Sequence, residues 1–426
     1  MAVRGGQIER NEADLEKDES NVRPELDQSI SEKLAAQRLE HIHQYLSDRM
    51  ARRDVIARTR THSGQELDWI PIESQTPNGN VSSPPSEDGL EIGDQRKPAD
   101  GDEPRPFEIV EFELQRKDAE IGPKGTVPVV RREIPKIRPT GTLRDFLSKH
   151  GRALRILPDD DPREVAYPED ATVHKYAYSA QYVTCYGGEG NINAWSPYTE
   201  WSNEFSLGQV ALARGSGSGK QTIEAGHQDY RDLYGDWVPH LFIFYTTNGY
   251  TSSGDNKGGY NRDVDGWIQY SNSIYPEALS SPVSTFGGTQ YVMALKWQLW
   301  QGNWWLRVNG VWIGYYPATL FASSGLRNQA SKIAWYGEVV DAGSHAGTTA
   351  TDMGNGHWPY EGWQKCAFMN HLYYQSSTSG ALSRYDPSSV YGTNDLCYDI
   401  EGHFDNTGSW GPYFWWGGSG RNSACP

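Results

Sequence analysis

Two glutamates stand where a carboxylate is expensive to keep. Glu224 lies in TIEAGHQDY (residues 222–230) and Glu338 in KIAWYGEVVDAG (residues 332–343). Most other acidic residues fall in wet or proline-punctuated stretches. These two sit in runs of apolar and small residues, with Gly226 two positions after one and Gly337 directly before the other. Glycine inside a strand often marks a place where a ligand or a second backbone comes close. Burying a lone carboxylate is costly and raises its pKa. Two that face each other titrate as a coupled pair, so one can stay ionised while the other holds a proton. That is the equipment of an acid protease, in which the carboxylate activates water and the acid polarises the scissile carbonyl. It also suits glycoside hydrolysis, where the carboxyl separation decides the stereochemistry. Pattern alone favours a plainer reading, in which each glutamate points outward and pairs with a Lys or Arg.

Other motifs do not hold up. GSGSGK (residues 215–220) imitates a phosphate loop, but Arg214 replaces the first glycine and Gln221 the magnesium-binding Ser/Thr. DNKGGYNRDVD (residues 255–265) offers oxygen ligands without EF-hand spacing. His357 and His371 are too isolated to argue for a metal. Cys185, Cys366, Cys397 and Cys425 form no CxxC pair; two disulfides or buried thiols are both compatible with them. No metal or cofactor is expected. The net charge of -16 argues against nucleic acid and anionic membranes as partners. No apolar run is long enough for a membrane span, and the polar N-terminus shows no secretory signal.

The elements that must position the glutamates lie in the second half. Only Trp69 of the 16 tryptophans precedes residue 170. Residues 1–28 read as a disordered acidic tail. A helix is expected over 29–58, from a capping box at Ser29 to Glu32, with Arg49, Arg52, Arg53 and Arg58 as a solvated basic end. NGNVSSPPSEDG (residues 78–89) is a linker, and Thr142 to His150 a short helix. Ile156 to Asp170, with Pro158, Pro162 and Pro168, is an exposed connection open to proteolysis. From about residue 171 the pattern turns to strands. The clearest is WWLRV-NG-VWIGYYP (residues 304–317), whose Asn309-Gly310 pair suits a two-residue type I′ turn. The fold class is all-β, an antiparallel β-sandwich of two large sheets behind a mixed, partly helical region. The many tryptophans leave a non-catalytic carbohydrate-binding sandwich as an alternative, although core positions suit them better.

Several long segments in one order resemble the neprosin family of glutamic endopeptidases. They are NINAWSPYTEWSNEFSLGQVAL (191–212), TIEAGHQDY, LYGDWVPHLFIFYTTNGY (233–250), WWLRVNGVWIGYYPATLF (304–321), WYGEVV, TATDMGNGHWP (349–359) and GPYFWWGGSGRNSACP (411–426). The resemblance covers roughly residues 172–426. It implies a two-sheet sandwich with a substrate groove over one sheet, and Glu224 and Glu338 as the catalytic dyad. It further implies cleavage of proteins and peptides at acidic pH, often after proline, by a secreted monomer without cofactor. GQELDWIPIESQTP (residues 64–77) is similar to the family's activation peptide, with Trp69 in place of a cysteine. Residues 29–170 are therefore expected to be a propeptide that acts on its own peptidase domain, residues 171–426. The family pattern also implies a Cys397–Cys425 pairing. His227, Tyr245, Trp335 and His357 are the candidate substrate contacts. The chain departs from its relatives at His227, where they have Trp, and lacks their close cysteine pair near residues 255–261. The period of a strand points His227 to the face opposite Glu224, so it bears on packing before chemistry, while its titration near neutrality would add pH sensitivity.

Overall fold

The computed structural model describes residues 12–86, 106–139, 141–149, 173–342, 347–378, 382–385, 389–403 and 410–426. The connection at 156–170 lies outside them. The protein is mostly β, and its strands gather into two large sheets. The first has seven strands in the order Gly258–Tyr260, His240–Thr246, Gln221–Asp229, Ser206–Arg214, Lys332–Asp341, Val173–Gln181 and Ser389–Gly392. The second is ten-stranded and centres on Asn303–Val308, Tyr291–Trp300, Gly187–Asn193 and Ala367–Gln375. The expected hairpin is present: Asn303–Val308 returns as Val311–Pro317 through Asn309 and Gly310, at φ 48 and 82.

The two sheets pack face to face through aromatic residues and missing side chains. The indole N–H of Trp335, from the first sheet, donates to the Glu189 carbonyl of the second at 3.0 Å. A Cβ on Gly337 would lie 2.2 Å from the Trp416 ring. A Cβ on Gly226 would lie 1.9 Å from the Gly208 carbonyl oxygen on the neighbouring strand. The glycines beside both glutamates therefore serve close packing. Of the tryptophans, only Trp201 and Trp237 are counted among the exposed large side chains. Most of the others are core or sheet-face residues, so they offer no continuous sugar-stacking platform.

The N-terminal region differs from expectation in its boundaries. One helix spans Glu12–Ala51, so residues 12–28 are not a disordered tail. Glu, Ala, Leu and Lys there are good helix formers. The helix also stops earlier than residue 58. Val55, Ile56 and Thr59 are β-branched, and Ala57–Arg60 pairs with Glu66–Pro71, which pairs in turn with Thr126–Val130. The basic helix end is not simply solvated. Arg49 bonds Asp255 and Asp265 at 2.7 Å each, and Arg53 bonds Asp68 at 3.1 Å. The short helix is Leu143–Leu147, capped by Thr142, whose hydroxyl accepts from the Asp145 N–H.

This region is built into the sandwich. Trp69, Phe112, Phe146 and Leu147 belong to the same apolar cluster as the sheet residues Ile223, Phe242 and Trp297. Glu108–Ile109 adds a parallel strand to Tyr291–Trp300. Gln75, from the activation-peptide-like segment, accepts the Gln269 N–H at 2.9 Å and donates to the Gln269 carbonyl at 2.8 Å. Cys397 and Cys425 form a disulfide; Cys185 and Cys366 are buried free thiols.

Replacing Gly337 with Ala forces a methyl into the Trp416 ring and is expected to cost about 1–3 kcal/mol. Urea unfolding of the full chain checks this, and an unchanged midpoint would show that the two sheets do not meet there.

Candidate active site

Strand register brings the two glutamates to one face. Glu224 lies opposite Ala211, and Glu338 lies opposite Leu207, on the two sides of the shared strand Ser206–Arg214. Residues 207, 209 and 211 alternate onto the same face. Gln209 is thus placed between the carboxylates. Glu224, Glu338 and Gln209 are all buried. Tyr176, Tyr178 and Tyr336 continue this face as an aromatic cluster separate from the inter-sheet core.

The space between the carboxylates is filled from the N-terminal region. Lys149, two residues past the short helix, places its Nζ 2.5 Å from Glu224 Oε2, 3.2 Å from Glu338 Oε2 and 3.0 Å from Gln209 Oε1. Its ammonium also lies over the Phe242 and Phe244 rings, at 5.4 and 5.5 Å. The other carboxylate oxygens are held by the peptidase domain itself. Glu224 Oε1 accepts from the Thr222 and Tyr250 hydroxyls at 2.7 Å each. Glu338 Oε1 lies 2.5 Å from His174 Nδ1. Each glutamate is therefore anchored by one oxygen and presents the other to the same central position.

Burial pushes the Glu224 carboxyl up. The Lys149 ammonium overcomes this, against the opposing charge of Glu338 and helped by hydrogen bonds from Lys149 and Tyr250, and holds the carboxyl below its ordinary value. Among the described residues, Gln209 Nε2 has no hydrogen-bond partner. With Lys149 removed, the site holds two carboxylates and an uncommitted amide donor around one vacated position. That set can activate a water and stabilise an oxyanion.

A family model described as Neprosin matches residues 202–419. The chain belongs to the neprosin family. It is a peptidase by that membership. Among solved structures the neprosin chain is similar to scytalido-glutamic peptidase with a transition state analog inhibitor, at 10% identity and TM-score 0.31, over 58% of this chain and 98% of that one. It is similar to SCP-B, of the eqolisin family of peptidases, at 8% identity and TM-score 0.28, over 58% and 98%. CG-16, an agglutinin from chicken liver, matches at 10% identity and TM-score 0.21, over 39% and 96%.

The four candidate substrate contacts of this neprosin chain do not gather at the glutamates. His227 points from the Glu224 strand into the inter-sheet core, where it lines a small cavity with Asp229 and Trp416. Burial, and then the charge of His240, push its imidazole down to about 3. It stays neutral near pH 6.5, so the expected pH sensitivity does not lie there. Tyr245 is paired one residue off Glu224's partner Phe244, so it faces inward; its hydroxyl donates to the Asp265 carbonyl. Trp335 is three residues from Glu338 and also faces inward, against Tyr385. His357 is bound to Glu361 and packs on Phe286, away from the glutamates in the contacts it makes. The period of two explains all three inward placements. Sequence reasoning missed Lys149, Gln209, Tyr250, Thr222 and His174. Gln209 and Thr222 were findable, since both lie within the matched motifs and share the glutamates' face.

Removing the ammonium while keeping its bulk, as Lys149→Met, takes away the counter-charge that the two buried carboxylates share. Stability at pH 7 should fall by about 3–5 kcal/mol. The deficit depends on pH. In the parent, Glu224's depressed pKa contributes stability that is full above the ordinary carboxylate value of about 4.3 and is lost as pH falls through the lower folded value. In the variant, the repelling pair binds a proton more readily than in the unfolded chain, so its deficit shrinks as pH falls. Denaturant unfolding from pH 4 to 8 measures this, and a deficit independent of pH would contradict the arrangement.

Proposed function

We propose that this protein is the latent form of an acid-active glutamic endopeptidase, with Glu224 and Glu338 as its dyad and residues 29–170 as its inhibitory propeptide. One observation carries the reading: a single nitrogen, Lys149 Nζ, is held by both glutamates. A lysine in that position satisfies two buried carboxylates and occupies the place where water and the scissile carbonyl would have to meet.

Once Lys149 leaves, the pair shares one proton. The ionised glutamate takes a proton from water, and the water oxygen bonds to the carbonyl carbon. The protonated glutamate gives its proton to the carbonyl oxygen as that charge develops, and Gln209 Nε2 donates to the same oxygen. On collapse the C–N bond breaks, and the proton taken from water passes to the leaving amine. As the carboxyl C=O re-forms, a hydroxyl of the intermediate returns its proton to the glutamate that protonated the carbonyl oxygen, which releases the product acid and restores the pair with its one shared proton. No metal or cofactor enters this sequence.

Two events separate the latent from the active form in this proposal. Cleavage within Ile156–Asp170 cuts the covalent link, but the noncovalent anchors remain. Arg132 holds Asp263 at 2.5 Å and Glu277 at 2.8 Å, and Arg49 holds Asp255 and Asp265. Acid loosens such contacts by protonating the carboxylates. The disulfide supports an oxidising compartment and secretion. Whether the site prefers a proline before the cut is read from a peptide-library digest.

Glu224→Gln and Glu338→Gln should each lose at least about 100-fold in peptide hydrolysis at pH 3–5. Wild-type turnover in either variant would sink the dyad. Incubation of the parent at low pH should shed an N-terminal fragment cut between residues 156 and 170, visible by mass spectrometry. An active protein that keeps its N-terminal region seated would overturn the latency.

A further inference from the structure

The two glutamates are anchored differently, and only one of the anchors can carry charge in acid. We propose that His174 is the positioning residue of Glu338, and that it makes Glu338 the ionised member of the dyad; this rests on the dyad reading above.

His174 opens the strand Val173–Gln181 and lies opposite Val340, two residues along from Tyr176, the cross-strand partner of Glu338. Its Nδ1 sits 2.5 Å from Glu338 Oε1, and both side chains are 2% exposed. The ring is fixed by its neighbours: it stacks on Tyr176 at 6.1 Å and meets the edge of Phe205 at 6.2 Å. Such packing gives the carboxylate one orientation. With Oε1 committed to the imidazole, Oε2 is the oxygen left to face the position that Lys149 now fills.

His174 also differs from Lys149 in which part of the chain it belongs to. Lys149 precedes the connection at 156–170 and leaves with the propeptide. His174 follows that connection and stays. After activation Glu338 keeps a partner able to carry positive charge, whereas among the described residues Glu224 keeps the Thr222 and Tyr250 hydroxyls, which are neutral donors. An imidazolium beside a carboxylate favours its charged form more strongly than two neutral donors do. The shared proton therefore resides on Glu224, which delivers it to the carbonyl, while Glu338 accepts the proton of water. Among the described residues, the titratable groups around Glu338 are Lys149 from the propeptide, His174 and Tyr176 from the adjacent strand, Glu224, Tyr260, and Tyr336 from its own strand. Burial holds the Tyr260 and Tyr336 phenols in their neutral form, so they do not compete with this assignment.

The test uses full-length protein, cut in the connection by an added protease that is then removed, with release of the N-terminal region confirmed by mass. His174→Ala should lower kcat at least about tenfold while KM changes little, and should move the acid limb of kcat/KM to higher pH, because Glu338 then protonates more readily. His174→Asn restores a neutral donor near the Nδ1 position. It should recover part of kcat while leaving the acid limb displaced, and it carries the test if the Ala variant does not fold. A wild-type kcat and acid limb in the Ala variant would overturn the proposal. So would equal losses in Ala and Asn with an unmoved acid limb, the mark of a purely structural role. Glu224→Gln and Glu338→Gln are run in parallel. If they are inactive while His174→Ala behaves as wild type, only this inference fails; if they are active, the dyad reading itself fails.

Discussion

A buried ammonium between two buried carboxylates is the interaction around which the rest of this structure is arranged. Neither glutamate could be kept ionised alone at its depth, since the desolvation of a single carboxylate amounts to several kcal/mol. Lys149 supplies the missing charge, and Thr222, Tyr250 and His174 saturate the remaining lone pairs. The sheet has to deliver the two carboxylates to one face on either side of a single strand, which the register of Ser206–Arg214 does. The short helix Leu143–Leu147 has to set down the chain so that Lys149 reaches inward, and burial of Phe146 and Leu147 pins it there.

Packing explains the glycines. Close sheet packing needs the far side of the Glu338 strand to be nearly bare at one position. Gly337, one residue from Glu338 and so on the opposite face, gives way to Trp416; Gly226, two residues from Glu224 and on its face, gives way to the backbone of the adjacent strand at Gly208. A buried carboxylate on one side and a tightly packed aromatic on the other make the Glu338 strand stiff, and stiffness holds the carboxylate oxygens in place. The glycine beside each glutamate is thus evidence about packing first, and about the site only through it.

What could be read from the sequence divides along the range of the interactions. The Asn309-Gly310 hairpin was legible because two adjacent residues determine the turn. The all-β character was legible from alternation and aromatic content. The glutamates were recognisable in their motifs, yet pattern alone favoured solvated side chains, because nothing local says that residues 224 and 338 converge. Lys149 read as the end of a short helix; its partners lie 75 and 189 residues away, and its role exists only in the folded chain. The early end of the long helix was missed because arginines that suit a helix terminus run on into β-branched residues that suit a strand. Tyr245 and Trp335 were misplaced for a simpler reason. Alternation, applied to His227, sends them inward as well.

Charge is distributed between the two parts in a way that gives acid a direction. The chain as a whole is strongly acidic, yet at the contacts described above the N-terminal region contributes the bases, Lys149, Arg132 and Arg49, and the peptidase domain contributes the acids. Arginine keeps its proton at every relevant pH, and lysine does so throughout the acid range. Lowering the pH therefore changes only the domain's side of each contact, from an attracting carboxylate to a neutral acid facing a bare cation. Had the charges been placed the other way, with carboxylates on the N-terminal region and bases at the paired-glutamate position, acid would also weaken the contact but would leave a site full of cations, unable to serve the proposed activation of water. Under the proposed latency, placing the acids in the site lets one titration do both jobs: the proton that weakens the hold on Lys149 is the proton the proposed dyad needs to work.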